Sequence, residues 1–409
     1  MDDNHETSAW KKQYDQLSKT PGVKTVRRPL PNDRSLPLAY VRNGPPATTP
    51  ILVLPGGPGL ASVLPYRMLR AGAAKRGLDL LMVEHRGVGM SRTTAAGTDL
   101  ETSDLTVAAV LADLVAVLEA EQIEQVIVYG SSYGSYLAGA FGAQNPGRVA
   151  GMILDSAMLD AASQHVATKH LNELYWHGTP TTSDQAERVH SLVADGTLAA
   201  HTAGFPLQFL HEFGGPEAVA AMLALRERGK GARVWEWIRK LGTVDVMQSR
   251  PFLMEFDLVG RIAFTELDYG APHDPAHGPL TTDETFADVA SRFPPFEAEP
   301  RYIRGALPGF DWPTLVISGD RDIRTPRRTA EEIVASAPHA KLVPVRNHGH
   351  SAIDTAQQLA LDAMQHLAGP RTMAPKEEAL QDFTARRSII GRLLAARLNL
   401  AKYLPNGSS

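Results

Sequence analysis

The sequence predicts an α/β fold with a mostly parallel sheet, helices on both faces and an inserted helical cap. Three observations carry that expectation. Short apolar runs bounded by Gly, Pro and Asp recur along the chain. Helical patterns lie between them. The alternation stops near Ala157 and resumes near Asp311. Near-continuous apolar strands belong to sheets covered on both faces, and strand–helix alternation builds such a sheet.

The elements follow in order. "VKTVRRPL" and "LPLAYVRNG" read as a leading antiparallel hairpin. "ILVLP" (51–55), "LDLLMVE" (78–84), "QVIVYG" (125–130), "GMILD" (151–155), "TLVISG" (314–319) and "KLVPV" (341–345) read as buried strands. "SDLTVAAVLADLVAVLEAEQ" is a helix with apolar residues at three- and four-residue steps and Ser103 as its expected N-cap. "SYLAGAFGAQ", "TPRRTAEEIVASA" and "SAIDTAQQLALDAMQHLA" are the helices after later strands. Between Ala157 and Asp311 the pattern is helical, with "RVWEWIRK" packing Trp235 and Trp237. The expected division is residues 1–157 and 311–369 as two parts of one core, 158–310 as the cap, and 370–409 as a tail. The tail carries an amphipathic basic pattern, expected to dock on the protein's own surface.

Composition narrows the function. The 409 residues carry a formal net charge of −4, which argues against nucleic-acid binding. With no cysteine there is no disulfide, thiolate metal site or cysteine nucleophile. The polar opening "MDDNHETSAWKKQYDQLSK" lacks the apolar run of a signal peptide, and no stretch reads as a membrane span. A cytoplasmic protein is expected, with a homo-oligomer open. His273 and His277 lie among prolines rather than on a helix, and Gly87-Val88-Gly89 lacks a dinucleotide fingerprint. No metal or cofactor is expected.

The chemistry centres on Gly130-Ser131-Ser132-Tyr133-Gly134. This G-x-S-x-G follows a strand and opens a helix, the setting of a nucleophile elbow. The middle position takes the strained conformation and the glycines admit close backbone, which singles out Ser132. A serine needs a base, and the base an orienting carboxylate. In this architecture they follow in the order acid, then histidine, on loops after late strands. After "TLVISG" come Asp320 and Asp322. After "KLVPV" come His348 and His350. Asp322 lies far enough into its loop to face a histidine, whereas Asp320 is expected to tie the loop backbone. His350 is the expected base and His348 a structural residue. Oxyanion donors are expected at the Tyr133 N–H and, in "LPGGPGL", at the Gly57 N–H.

These segments resemble the proline iminopeptidases and related α/β-hydrolases. "PGGPG" is similar to their HGGPG loop, "EHRGVGMS" (84–91) to their DQRGxGxS segment, and "YGSSYGSYLA" to their elbow. "SGDRDIRTP" and "NHGHS" resemble their acid and histidine loops. The likeness covers residues 23–157 and 311–368. Pro55 replaces a histidine, and Glu84-His85 replaces Asp-Gln. The resemblance implies the α/β-hydrolase fold and an exopeptidase that releases an N-terminal residue, often proline. Such an enzyme needs a cap carboxylate for the substrate ammonium. "RIAFTELDYG" loosely resembles the family segment that supplies it, which nominates Glu266, with Asp268 and Tyr269 beside it. Glu173, Glu212 and Glu255 are lesser candidates. Two other functions use the same fold: an esterase or amidase for small non-peptide substrates, and a catalytically silent binding protein.

Overall fold

The structure, a computed structural model, describes residues 3–247, 249–282, 286, 289–299, 302–368, 380 and 383–403. Helix α1 (Asp3–Leu17) precedes strands β1 (Val23–Pro29), β2 (Ser35–Asn43) and β3 (Ile51–Leu54). Helix α2 (Arg67–Lys75), β4 (Leu80–Val83), α3 (Val107–Ala120), β5 (Val126–Ser131), α4 (Tyr133–Gln144) and β6 (Val149–Asp155) complete the first part of the core. The eight-stranded sheet runs β1-β2-β4-β3-β5-β6-β7-β8, with β7 at Thr314–Gly319 and β8 at Ala340–Val345. β1, β2 and β4 pair antiparallel. All other neighbours are parallel.

Side chains alternate across the sheet and feed two cores. Leu52, Leu54, Val126, Val128 and Leu154 pack with α3 and α4 through Leu111, Leu114, Tyr136 and Phe141. Ile51, Val53, Ile127, Tyr129 and Ile153 pack on the other face with Leu69 of α2 and Leu359 and Met364 of α11 (Gln357–Ala368). Burial on both faces is why these strands read as unbroken apolar runs. α10 (Arg327–Ser336) joins the α3 side through Ala330 and Ile333.

One helix start differs from expectation. Thr106, not Ser103, caps α3, its Oγ1 accepting from Ala109 N at 3.1 Å. Ser103 lies in a short turn, Thr102–Asp104, closed by a Glu101/Asp104 capping box. Two capping residues, Glu101 and Thr106, stand five positions apart, and the apolar stripe of α3 starts only after the second.

The cap is helical: α5 (Ser163–Asn172), α6 (Ser183–Ala194), α7 (Ala200–Glu227), α8 (Ala232–Met247) and α9 (Phe256–Arg261). α7 breaks at Gly215, whose φ of 77° precedes Pro216. The C-terminal helix α12 (Ile389–Ala401) packs into the cap's own core through Leu394, Leu398 and Ala401, beside Val219 and Met222. Arg397 lies 4.2 Å above the Trp237 ring. Ahead of α12, Arg346 N donates to Phe383 O and Ala385 N to Arg346 O, so the tail also pairs with the core. No helix among the described residues is long and apolar enough to cross a membrane.

Candidate active site

Ser132 sits between the last residue of β5 and the first of α4 with φ 54° and ψ −121°. A non-glycine residue rarely holds this conformation. The flanking glycines are sterically required. A Cβ on Gly130 would lie 2.1 Å from Gly134 O, and one on Gly134 2.0 Å from Leu54 O. As the first residue of α4, Tyr133 has an N–H without an intrahelical acceptor, at the positive end of the helix.

The loop after β3 lies against this elbow. A Cβ built on Gly56 would come within 3.3 Å of Ser132 Cβ. Gly57 adopts φ 119°, and its carbonyl accepts from Tyr269 Oη at 3.3 Å. The cap holds the next residues by strand-like pairing: Glu255 N donates to Gly59 O and Ala61 N to Leu253 O.

Asp322 and His350 meet. His350 Nδ1 lies 3.1 and 3.0 Å from the two Asp322 carboxylate oxygens. Thr325 holds the carboxylate from the other side, its N–H donating at 2.9 Å and its hydroxyl at 2.7 Å. Burial alone would push the Asp322 carboxyl up. The His350 ring beside it and the Thr325 N–H prevail and hold it well below the usual range. Asp320 accepts from Asn347 N and His348 N and so ties the two loops.

The histidine loop is also fastened to the elbow. Ser131 Oγ and Ser351 Oγ, next in sequence to Ser132 and His350, share a hydrogen bond of 2.9 Å. Asp155, fully buried at the end of β6, accepts from Ala352 N, Ile353 N and Tyr129 Oη, while its carbonyl accepts from Ser132 N. Sequence reasoning missed Asp155. It also missed Thr325, for which a local signal existed: a threonine three residues after an aspartate is a turn pattern.

The residues at 84 and 85 both act near the elbow. His85 Nδ1 faces the Arg86 carbonyl at 2.6 Å, so Nδ1 carries the hydrogen and Nε2 accepts from Tyr133 Oη at 3.1 Å. Burial lowers this ring to about 4, keeping it neutral. Glu84 accepts from the backbone N–H groups of Ser62, Val63 and Met90, fixing the loop that begins at Gly56. Burial nevertheless pushes its carboxyl up to about 7. A carboxyl raised from 4.5 binds its proton more tightly when folded. Its contribution to stability is therefore complete below pH 4.5 and lost as pH rises through about 7. Glu84→Gln is expected to remove a stability loss on the order of 3 kcal/mol across that window. Urea melts at pH 5 and pH 7.5 check this; parallel pH dependence in both proteins would count against it.

Glu266 and the three lesser candidates are all engaged. Glu266 accepts from Val107 N at 2.8 Å and from Arg261 Nη1 at 2.9 Å, bracing the start of α3 against the cap. Glu173 pairs with Arg328, Glu212 with Arg324, and Glu255 with Arg92 and the N–H groups of Gly89 and Phe252. Glu299, which the sequence did not single out, differs. Its Oε1 is buried with no hydrogen-bond partner among the described residues. Burial, with Asp160 nearby, raises it to about 7.

This architecture has counterparts among known proteins. The alpha/beta hydrolase fold family matches residues 49–228, spanning β3 to the end of α7. The chain has the α/β-hydrolase fold. The TAP-like protein family matches residues 290–367 of this chain, which include the acid and histidine loops. A proline iminopeptidase of Neisseria meningitidis serogroup A is 32% identical over 127 residues, 31% of this chain and 38% of that protein. The chain thus matches under two-fifths of that relative's length. A probable proline iminopeptidase of Leptolyngbya boryana is 22% identical over 342 residues, 81% of this chain and 91% of that one. The crystal structure of a Mycobacterium smegmatis proline iminopeptidase superposes with TM-score 0.45 and 16% identity, covering 92% of this chain and 100% of that one.

Proposed function

We propose that this α/β-hydrolase is a serine aminopeptidase that releases an N-terminal residue, proline or a similar one, from short peptides. The observation that carries the reading is the Asp322–His350 hydrogen bond on a loop fastened to the Ser132 elbow. The names of the curated relatives favour a peptide substrate.

In this reading His350 Nε2 takes the Ser132 proton as Oγ attacks the scissile carbonyl. The Tyr133 and Gly57 N–H groups stabilise the oxyanion. Asp322 holds Nδ1–H and offsets the charge of the imidazolium. His350 then gives its proton to the departing amine. Water, activated by the same ring, attacks the acyl-enzyme and releases the residue.

The substrate's ammonium needs a buried carboxylate. Glu266 is the proposed partner, and the ammonium then displaces Arg261. Glu299 offers the same charge without that competition, and a bound ammonium would draw its raised carboxyl down.

The test is a panel of aminoacyl 4-nitroanilides with free and with acetylated amines. Acetylation is expected to lower kcat/KM about 100-fold or more, the consequence of leaving a buried charge unpaired. Equal rates on both series would give the site to the esterase or amidase reading. Failure of a fluorophosphonate to label the native protein would favour the silent binding protein.

A further inference from the structure

A cavity of about 210 Å3 lies where the histidine loop, cap helix α7 and the tail meet. Its lining includes His348, His350, Glu212, Arg321, Arg386 and Arg387. The single carboxylate among these is already neutralised: Arg324 donates to Glu212 at 2.8 and 3.3 Å. Arg321 gives one N–H to Asn347 Oδ1 at 2.6 Å and lies with Glu217 over the Gly215 turn. Arg386 and Arg387 are exposed, and no described residue forms an ion pair with either.

Two further features add to the positive character. Ser388, the N-cap of the 13-residue α12, also lines the cavity, so the positive end of that helix stands at its rim. His348 is 4% exposed, and its Nε2 has no hydrogen-bond partner among the described residues. A concave site with guanidinium groups, a helix N-terminus and a buried polar atom left over is built for an anion.

The cavity shares His350 with the site described above, which gives that anion a natural source. The departing amine must come within about 3 Å of His350 to receive its proton. One residue of extended chain spans roughly 3.5 Å. A leaving group of one or two residues therefore ends within reach of this lining. We propose that the cavity binds a carboxylate, that of the departing end of a di- or tripeptide substrate. This deepens the aminopeptidase reading and rests on it for the source of the carboxylate. The cavity would make the enzyme selective for very short peptides with a free C-terminus.

The experiment separates binding from turnover. Titration calorimetry on Ser132→Ala measures prolylglycine, prolylglycinamide and acetate as ligands. Prolylglycine is expected to bind about tenfold more tightly than its amide. Adding Arg386→Ala and Arg387→Ala is expected to reduce the acid's affinity to the amide's, with circular dichroism melts confirming that the tail stays folded. Equal binding of acid and amide, a difference that survives the double substitution, or no binding of either dipeptide up to about 10 mM would overturn the proposal. Acetate binding as tightly as prolylglycine, and lost with the two arginines, would keep the carboxylate site and overturn its assignment to the leaving group. If prolylglycine binds as expected but the wild type does not cleave it, the aminopeptidase reading falls and the anion site stands.

Discussion

Ser132→Ala is expected to lower kcat by about 10^4-fold or more while leaving the melting temperature nearly unchanged. The activity loss follows from the place proposed for Ser132 in the reaction, that of the nucleophile. Without Oγ no acyl-enzyme forms, and only the residual effect of binding and the oxyanion donors remains. A 10^4-fold fall is about 5.5 kcal/mol in the barrier. The unchanged stability follows from the backbone. Alanine and serine tolerate φ 54° about equally badly, so the strain at the elbow is the same in both folded proteins. Ser132 N still donates to the Asp155 carbonyl, and Ser135 N to the carbonyl of residue 132. Steady-state kinetics on a prolyl 4-nitroanilide, paired with thermal melts, reads both halves. Substantial activity in a folded variant would remove Ser132 from the mechanism.

Much of this arrangement was legible in the sequence because its signals are local. Each core strand is a short apolar run, and each proposed chemical residue stands within a few positions of a strand end. Ser132 follows β5, Asp322 follows β7 and His350 follows β8. The illegible parts depend on what meets in space. Glu266 matched a short family-like segment, but Arg261 of the same cap segment and the open N–H of Val107 occupy its carboxylate. The basic amphipathic tail suited several surfaces equally. The cap supplies the apolar groove that takes Leu394 and Leu398, and nothing local to the tail encodes that groove. The same holds for the cavity arginines: "TARRS" is unremarkable until the pairing of Ala385 with Arg346 lays it beside His350.

Asp155 is the sharpest case of a residue whose work is invisible in sequence, and its replacement is expected to be the most damaging to stability. It closes the apolar run "GMILD" and looks like an ordinary strand end. In the fold its carboxylate accepts from Ala352 N at 2.9 Å and Ile353 N at 3.0 Å, nearly 200 residues away, and from Tyr129 Oη at 2.8 Å. Asp155→Ala leaves three buried donors without an acceptor. At about 1–3 kcal/mol for each such group, a loss of roughly 3–9 kcal/mol is expected, a large share of the 5–15 kcal/mol by which a typical domain is stable. The loss reaches the chemistry as well. Ala352 and Ile353 begin the helical turn directly after His350 and Ser351, so their release loosens the loop that carries the His350 ring. A misplacement of about 1 Å costs on the order of 100-fold in rate. Asp155→Asn keeps the shape and one accepting oxygen, but its amide group confronts a backbone N–H, so an intermediate loss is expected. The two variants are therefore ordered, with Ala below Asn below wild type in both urea midpoint and kcat. Because Asp155 is fully buried, KM should move less than kcat. If Asp155→Ala melts at the wild-type midpoint, the link between the elbow and the histidine loop does not depend on this carboxylate.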